Sequence, residues 1–280
     1  MDSLITVLSY YDIIIAIVDQ DWFDVDKLPT LIVAVVAITI VLYATYNRSS
    51  REKFVMREIP GLRAVEDAIG RATEMNRPLL FTPGWGGDIQ RPTTIASMNI
   101  LSHVAEKTAS YDCRLVYPTH DPVIMTVAQE VVAEAYARTG YPDRFHREDV
   151  NYVSSSQFGY AAAVDGMISR LEPASVFLLG TFEAESLILA ETGNSVGAIQ
   201  IAGTDSTIQL AFFIVACDYT LIGEELFAAS GYLSGDHSIL ASVRAQDILK
   251  LLIMLFLVTA VVWNTVSVIT GSNTGCWWEF

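Results

Sequence analysis

The sequence predicts an α/β domain, a doubly wound, mainly parallel sheet of five or six strands, flanked by two transmembrane helices. Two long apolar stretches bracket the chain, at residues 28–46 and 248–270. Between them, short apolar runs rich in Val, Leu, Ile and Phe alternate with segments of helical periodicity. These runs are continuous rather than alternating, as in strands covered on both faces, and the intervening helices are long enough to be parallel crossovers.

At 19 and 23 residues, each bracketing stretch is long enough to cross a hydrocarbon core about 30 Å thick as a helix rising about 1.5 Å per residue. Lys250, at the edge of the second, is the only charge in either. Arg48, Arg51, Lys53 and Arg57 follow the first stretch and Arg244 precedes the second, whereas Asp2, Asp12, Asp19, Asp21, Asp24 and Asp26 lie on the other side of the first against Lys27 alone. Basic flanks stay in the cytoplasm. The expected organisation is therefore an extracytoplasmic or interfacial segment 1–27, a span 28–46, a cytoplasmic α/β domain 47–247, a span 248–270 and an extracytoplasmic tail 271–280. The apolar stretch at 4–18 lacks a basic leader, contains Asp12 and runs into acidic residues, so it does not read as a signal peptide. It is expected as a retained helix lying at the outer interface or against a partner, or as a tail packing on the chain's own spans. Trp277 and Trp278 suit a membrane interface.

Within the domain, a helix opening at Pro60 and Gly61 runs to about Met75 and precedes a first strand at 78–82. Pro92 and Pro122 each sit where proline suits a first helical turn, and they start helices at 92–110 and 122–138 around a second strand at 114–117. A third strand at 150–153 leads to a helix at 157–171, and a fourth at 175–179 to a helix at 184–191 that Gly193 stops. A fifth strand follows at 198–202. The apolar run at 209–220 is too short for a span and too close to the fifth strand for a full crossover helix, so residues 211–216 read as a sixth strand for which an antiparallel direction is allowed, followed by a helix at 221–233.

The block from Cys217 to Ser234, with Asp218, Gly223, Glu224, Glu225, Gly231 and Tyr232, together with the two flanking spans, resembles an uncharacterised family of prokaryotic membrane-anchored proteins built on a domain of unknown function. The resemblance covers most of the chain. It implies a prokaryotic cytoplasmic membrane as the location and brings no activity, ligand or catalytic residue.

The chain's net charge is −15, and between Glu58 and Asp247 there are 24 acidic residues against 11 basic ones. Such a domain is repelled by phosphate backbones, which excludes nucleic acid as a partner. Cys113, Cys217 and Cys276 are far apart and no histidine pair accompanies them, so neither a disulfide framework nor a metal site is expected. No GxGxxG, GxxxxGK[ST] or GxSxG occurs, and no cofactor is expected.

In an open parallel sheet ligands bind beyond the carboxyl ends of the strands. Those ends carry Thr82, Gly84 and Asp88; His120; Ser154 and Ser155; Gly180; and Thr204 and Asp205, which make up the candidate ligand-binding set. Loops of this kind also need the same residue types for turns and helix caps, and capping is the weightier reading. His120, with Asp121 beside it and Ser154 on a neighbouring tip, allows a Ser/His/Asp hydrolase to be drawn, although a triad is defined by geometry rather than composition. Glu183, Glu185, Glu224 and Glu225 read as helix-dipole partners. Asp218 reads as a cap of the following helix or a group at the sixth strand's tip.

No catalytic residues are therefore expected. The leading functional expectation is a non-enzymatic scaffold or subunit, homo-oligomeric or part of a larger membrane complex, that associates through small-residue helix faces at Ala161–Ala163 and Ala228–Gly231. A small-ligand sensor using the strand-tip crevice is the alternative, and a membrane-bound hydrolase ranks third.

Overall fold

A computed structural model describes residues 28–46, 60–235 and 237–270. The segment 1–27, residues 47–59 with the whole basic cluster after the first apolar stretch, Asp236 and the tail 271–280 lie outside the described residues. The chain divides into two units, residues 52–243 and residues 1–51 with 244–280.

The larger unit is the α/β domain. Helix α2 (Pro60–Met75) leads into β1 (Leu79–Thr82), α3 (Pro92–Tyr111), β2 (Leu115–Thr119) and α4 (Pro122–Arg138). Then follow β3 (Val150–Tyr152), α5 (Gln157–Leu171), β4 (Ser175–Leu179), α6 (Glu185–Ser195), β5 (Ile199–Thr204), α7 (Thr207–Ala216), β6 (Tyr219–Ile222) and α8 (Glu224–Ser234). The six strands lie in the order β3-β2-β1-β4-β5-β6, and every neighbouring pair is parallel. The chain order reverses between β1 and β4, which makes that junction the topological switch point.

Alternation along each strand builds two cores. Leu79 and Phe81 of β1, Tyr117 of β2 and Phe177 and Leu179 of β4 face the core covered by α2, α3, α4 and α8. Leu80, Val176, Leu178 and Ala202 face the core covered by α5, α6 and α7. Because Phe81 and Phe177 are paired in register, their rings stack 5.8 Å apart, and Phe81 stacks on Tyr117 at 5.7 Å. Prolines open α2, α3 and α4, where the missing N–H costs nothing.

Three expectations are corrected. Gly193 does not stop α6, which runs through it to Ser195 and ends ahead of Gly197, whose φ of +72° supplies the left-handed residue. Residues 211–216 belong to α7, and the sixth strand is the later Tyr219–Ile222, parallel to β5 with Ile201 opposite Tyr219. A helix of ten residues suffices for this crossover, so the short spacing did not force a strand. The small residues of α8 do not form an outer face, because Ala229 and Ser230 are each 1 % exposed and pack on α3, where Asn99 donates to the Ser230 hydroxyl at 3.1 Å. On α5, Ala161 is likewise buried, Ala162 is exposed and Ala163 lies between.

In the second unit, α1 (Leu28–Tyr46) is a helix whose shorter apolar stretch spans Val33–Tyr43. Helix α9 (His237–Thr270) contains Ala245–Trp263, a window of mean hydropathy 2.1 long and apolar enough to cross a membrane. The Thr39 and Thr265 hydroxyls donate to carbonyls of Val35 and Val261 in their own helices, so neither is left seeking a partner.

Candidate functional site

The switch point between β1 and β4 brings the most unusual loop of the sequence, Pro83-Gly84-Trp85-Gly86-Gly87, against Gly180-Thr181. The ladder between the two strands continues past their ends: Thr181 N–H donates to the Pro83 carbonyl and Gly86 N–H to the Thr181 carbonyl, both at 3.0 Å. The backbones approach so closely that a Cβ on Gly84 would lie 2.2 Å from the Thr181 oxygen, and one on Gly180 would lie 2.2 Å from the Pro83 oxygen. Both glycines also have positive φ, +81° and +150°, where L side chains are strained. In other doubly wound folds this junction is an open crevice. Here the two loops close it.

Glu185 fastens the closure. Its side chain is fully buried; Oε1 accepts from the N–H groups of Trp85 at 3.0 Å and Glu183 at 3.1 Å, and Oε2 accepts from Gln157 Nε2 at 2.9 Å. One carboxyl group thus ties the β1 loop, the β4 loop and the start of α5 together, and three N–H donors supply what a buried carboxyl needs. Trp85 lies over the junction, donating from Nε1 to the Ser155 carbonyl at 2.9 Å.

His120 sits beneath this cover, its ring 6.0 Å from those of Trp85 and Tyr160. Its Nδ1–H donates to the Gly84 carbonyl at 3.0 Å. Burial pushes its pKa below the ordinary histidine value, with the Gly84 hydrogen bond and the charges of Asp121 and Glu185 opposing that shift. Thr82 donates to the Pro118 carbonyl at 3.3 Å and bonds the Tyr160 hydroxyl. Burial raises the Tyr160 pKa well out of the physiological range.

The structure brings Thr82, Gly84, His120, Ser155 (through its carbonyl) and Gly180 together at this junction. The remaining candidates serve local geometry. Asp88 Oδ1 accepts from Arg91 N–H at 3.0 Å just before α3, Ser154 Oγ accepts from Ser156 N–H at 3.2 Å, and Thr204 Oγ1 accepts from Ser206 N–H at 3.3 Å. Asp205 is exposed at the β5 tip. Asp121 caps α4 by accepting from Val123 and Ile124, so it does not orient His120, and Ser156 caps α5 through Gly159. A hydrolytic triad is therefore not assembled among these residues. Asp218 lies at the amino end of β6, where Oδ2 accepts from Gln200 N–H at 2.8 Å; it is neither a strand tip nor a cap of α8.

Residue patterning did not single out Gln157, Tyr160 or the clamping role of Glu185. Gln157 and Tyr160 lie far along the chain from the β1 loop, and Glu185 occupies a first helical turn where a carboxylate is ordinary. Trp85 had a signal, as an aromatic within a glycine-rich loop. One polar atom at the junction is unsatisfied: Thr94 Oγ1, buried near the start of α3, has no hydrogen-bond partner among the described residues and faces Gly87. Among the described residues no group of three or more His, Cys, Asp or Glu is placed to hold a metal ion.

Two cavities lie at the opposite, amino-terminal end of the sheet. One of about 280 Å³ is lined by Cys113, Arg114, Tyr136, Arg144 and Asp149, and one of about 490 Å³ by Asn76, Arg77, Tyr111, Arg114 and Arg170. Their arginines are largely engaged, Arg114 with Asp149 at 2.6 Å and Arg77 with Glu172 at 3.1 Å. Burial pushes the Cys113 thiol up to about 11, which keeps it protonated and unreactive at neutral pH.

A family model described as a domain of unknown function, DUF6754, matches residues 18–274. The chain belongs to that family. The match takes in both α1 and α9 as well as the α/β unit, so the apolar helices are part of the DUF6754 domain rather than additions to it. No curated protein and no solved structure matches the chain.

Proposed function

We propose that the chain is a membrane-anchored, non-enzymatic scaffold or subunit, assembling with itself or within a larger membrane complex. Its α/β domain stands on the cytoplasmic side of a prokaryotic membrane and both termini stand outside. The observation that carries this reading is the closed switch point. Where an enzyme or binding protein of this topology keeps its crevice, Gly84 and Gly180 allow the loops to meet, Glu185 fastens them and Trp85 covers them. The apolar Ala245–Trp263 window, the 19-residue α1 and the basic residues on the domain side of both support the anchoring and the orientation.

The test is to extract the full chain from its membrane in lipid nanodiscs and measure its mass beside His120→Ala. Assembly that survives the substitution, with the cellular role intact, is the expected result. A monomeric wild type whose measurable turnover is lost in His120→Ala would replace this reading with an enzymatic one.

A ligand sensor is the second reading, and the unpartnered Thr94 hydroxyl beside Gly87 near the start of α3 favours it. A helix start of this kind suits an anion. Inorganic phosphate should then raise the melting temperature of wild type but not of Thr94→Val. Equal responses from the two proteins would remove the sensor reading.

A further inference from the structure

Helix α7 presents an apolar stripe to the outside. At about 100° per residue, Ile208, Ala211, Phe212 and Val215 share one side of the helix, the i, i+3, i+4, i+7 pattern that ordinarily faces a core. The residue of α7 that is buried is Phe213, on another side, with its ring 5.1 Å from that of Phe182. Ile208 is 71 %, Phe212 38 % and Val215 87 % exposed. On α6, which packs against α7, Leu187 and Ile188 are exposed as well. All ten residues of α7 are uncharged, in a domain that is otherwise strongly acidic. A surface helix with this pattern pointing outward has a partner to meet.

We propose that this stripe pairs with the same stripe of a second copy of the chain, the two α7 helices lying antiparallel across a twofold axis. This rests on reading the chain as an assembly domain, and it names the surface used. Two observations select a second copy. The stripe is complementary to itself: an axis passing between Ala211 and Phe212 sets Ile208 opposite Val215 of the second copy and Phe212 opposite Ala211 of the second copy, large against small, so ridges fill grooves. Two acidic domains repel each other over most of their surfaces, and the uncharged stripe lets them meet without opposing like charges.

A helix of ten residues is about 15 Å long. One such helix per copy covers less than the roughly 800 Å² per partner of a standard interface. The pairing is accordingly weak in free solution, and confinement of both copies to one membrane, which raises their effective concentration, makes it persistent.

The experiment places a diazirine-bearing residue at Val215 of the full-length chain and irradiates it in the native membrane. The expected product has twice the chain's mass, and its cross-linked peptide contains Ile208. A lipid adduct, an adduct to another protein, a cross-link within one chain, a doubled product mapping elsewhere, or no product would each overturn the proposal. Val215→Glu provides the second measurement, since that position is exposed and the fold should tolerate it. It should lower the dimer fraction in nanodiscs by about tenfold or more with an unchanged unfolding curve. If Val215→Glu assembles like wild type, the stripe is not the interface, although the assembly reading survives; if wild type is itself monomeric in the membrane, the pairing falls together with self-assembly, and only the reading as a subunit of a larger complex stands.

Discussion

Glu185 joins three segments through two oxygens, and the consequence can be measured on single residues. In Glu185→Gln, one amide oxygen must serve Trp85 and Glu183 while the new NH₂ meets the donor of Gln157. Losing that match should cost about 1–3 kcal/mol in urea unfolding, and an unchanged midpoint would show that the clamp contributes nothing. Gly84→Ala should cost more, about 3 kcal/mol or above, because it adds strain at positive φ to a collision with the Thr181 carbonyl. His120 makes the same junction sensitive to pH. Burial lowers its folded pKa, and it lowers that of His103 on α3 too, so the unfolded chain binds more protons in mildly acidic solution. The histidine contribution to stability is fully present above the unfolded value of about 6.5 and is lost as pH falls through the folded values. His120→Gln should therefore lose less stability than wild type between about pH 7 and 5, and parallel stability–pH curves for the two proteins would contradict this account.

At the scale of elements, α7 and α8 exchange the roles that composition assigned to them. Alanine and glycine in α8 looked like an outer packing face, yet they allow α8 to lie close on α3, whereas the apolar run that looked like a buried strand is a helix with its stripe outward. Substitution separates the two. Ala229→Glu buries a charge in the core and should abolish cooperative unfolding or cost more than about 4 kcal/mol, whereas Val215→Glu should stay within about 0.5 kcal/mol of wild type. Equal effects in calorimetry would mean that the burial of α8 has been misread. Most other elements followed their sequence patterns closely. Proline at the start of α3 and α4 and left-handed Gly235 after α8 are local signals, and they hold wherever the element is placed.

For the whole molecule, the sheet order is the decisive feature of the structure, and the proposed membrane orientation is the decisive feature to test. The orientation is tested by Ser3→Cys and Asp143→Cys in a chain carrying Cys276→Ser, probed with an impermeant thiol reagent on intact cells. Ser3→Cys should react and Asp143→Cys should not; the opposite pattern would invert the topology. The sequence by itself determined the fold class, five of the six strands to within a few residues, and two apolar stretches that form helices. Each of these depends on patterns short enough to read along the chain: continuous apolar runs, helical periodicity, proline and glycine punctuation. Tertiary structure alone decided that β1 lies beside β4, that the glycines of two loops about 100 residues apart in sequence meet backbone to backbone, that Glu185 turns inward, and which face of α7 looks out. These depend on which segments become neighbours, and a strand's apolar run or a first-turn carboxylate reads the same whether it borders an open crevice or a closed one.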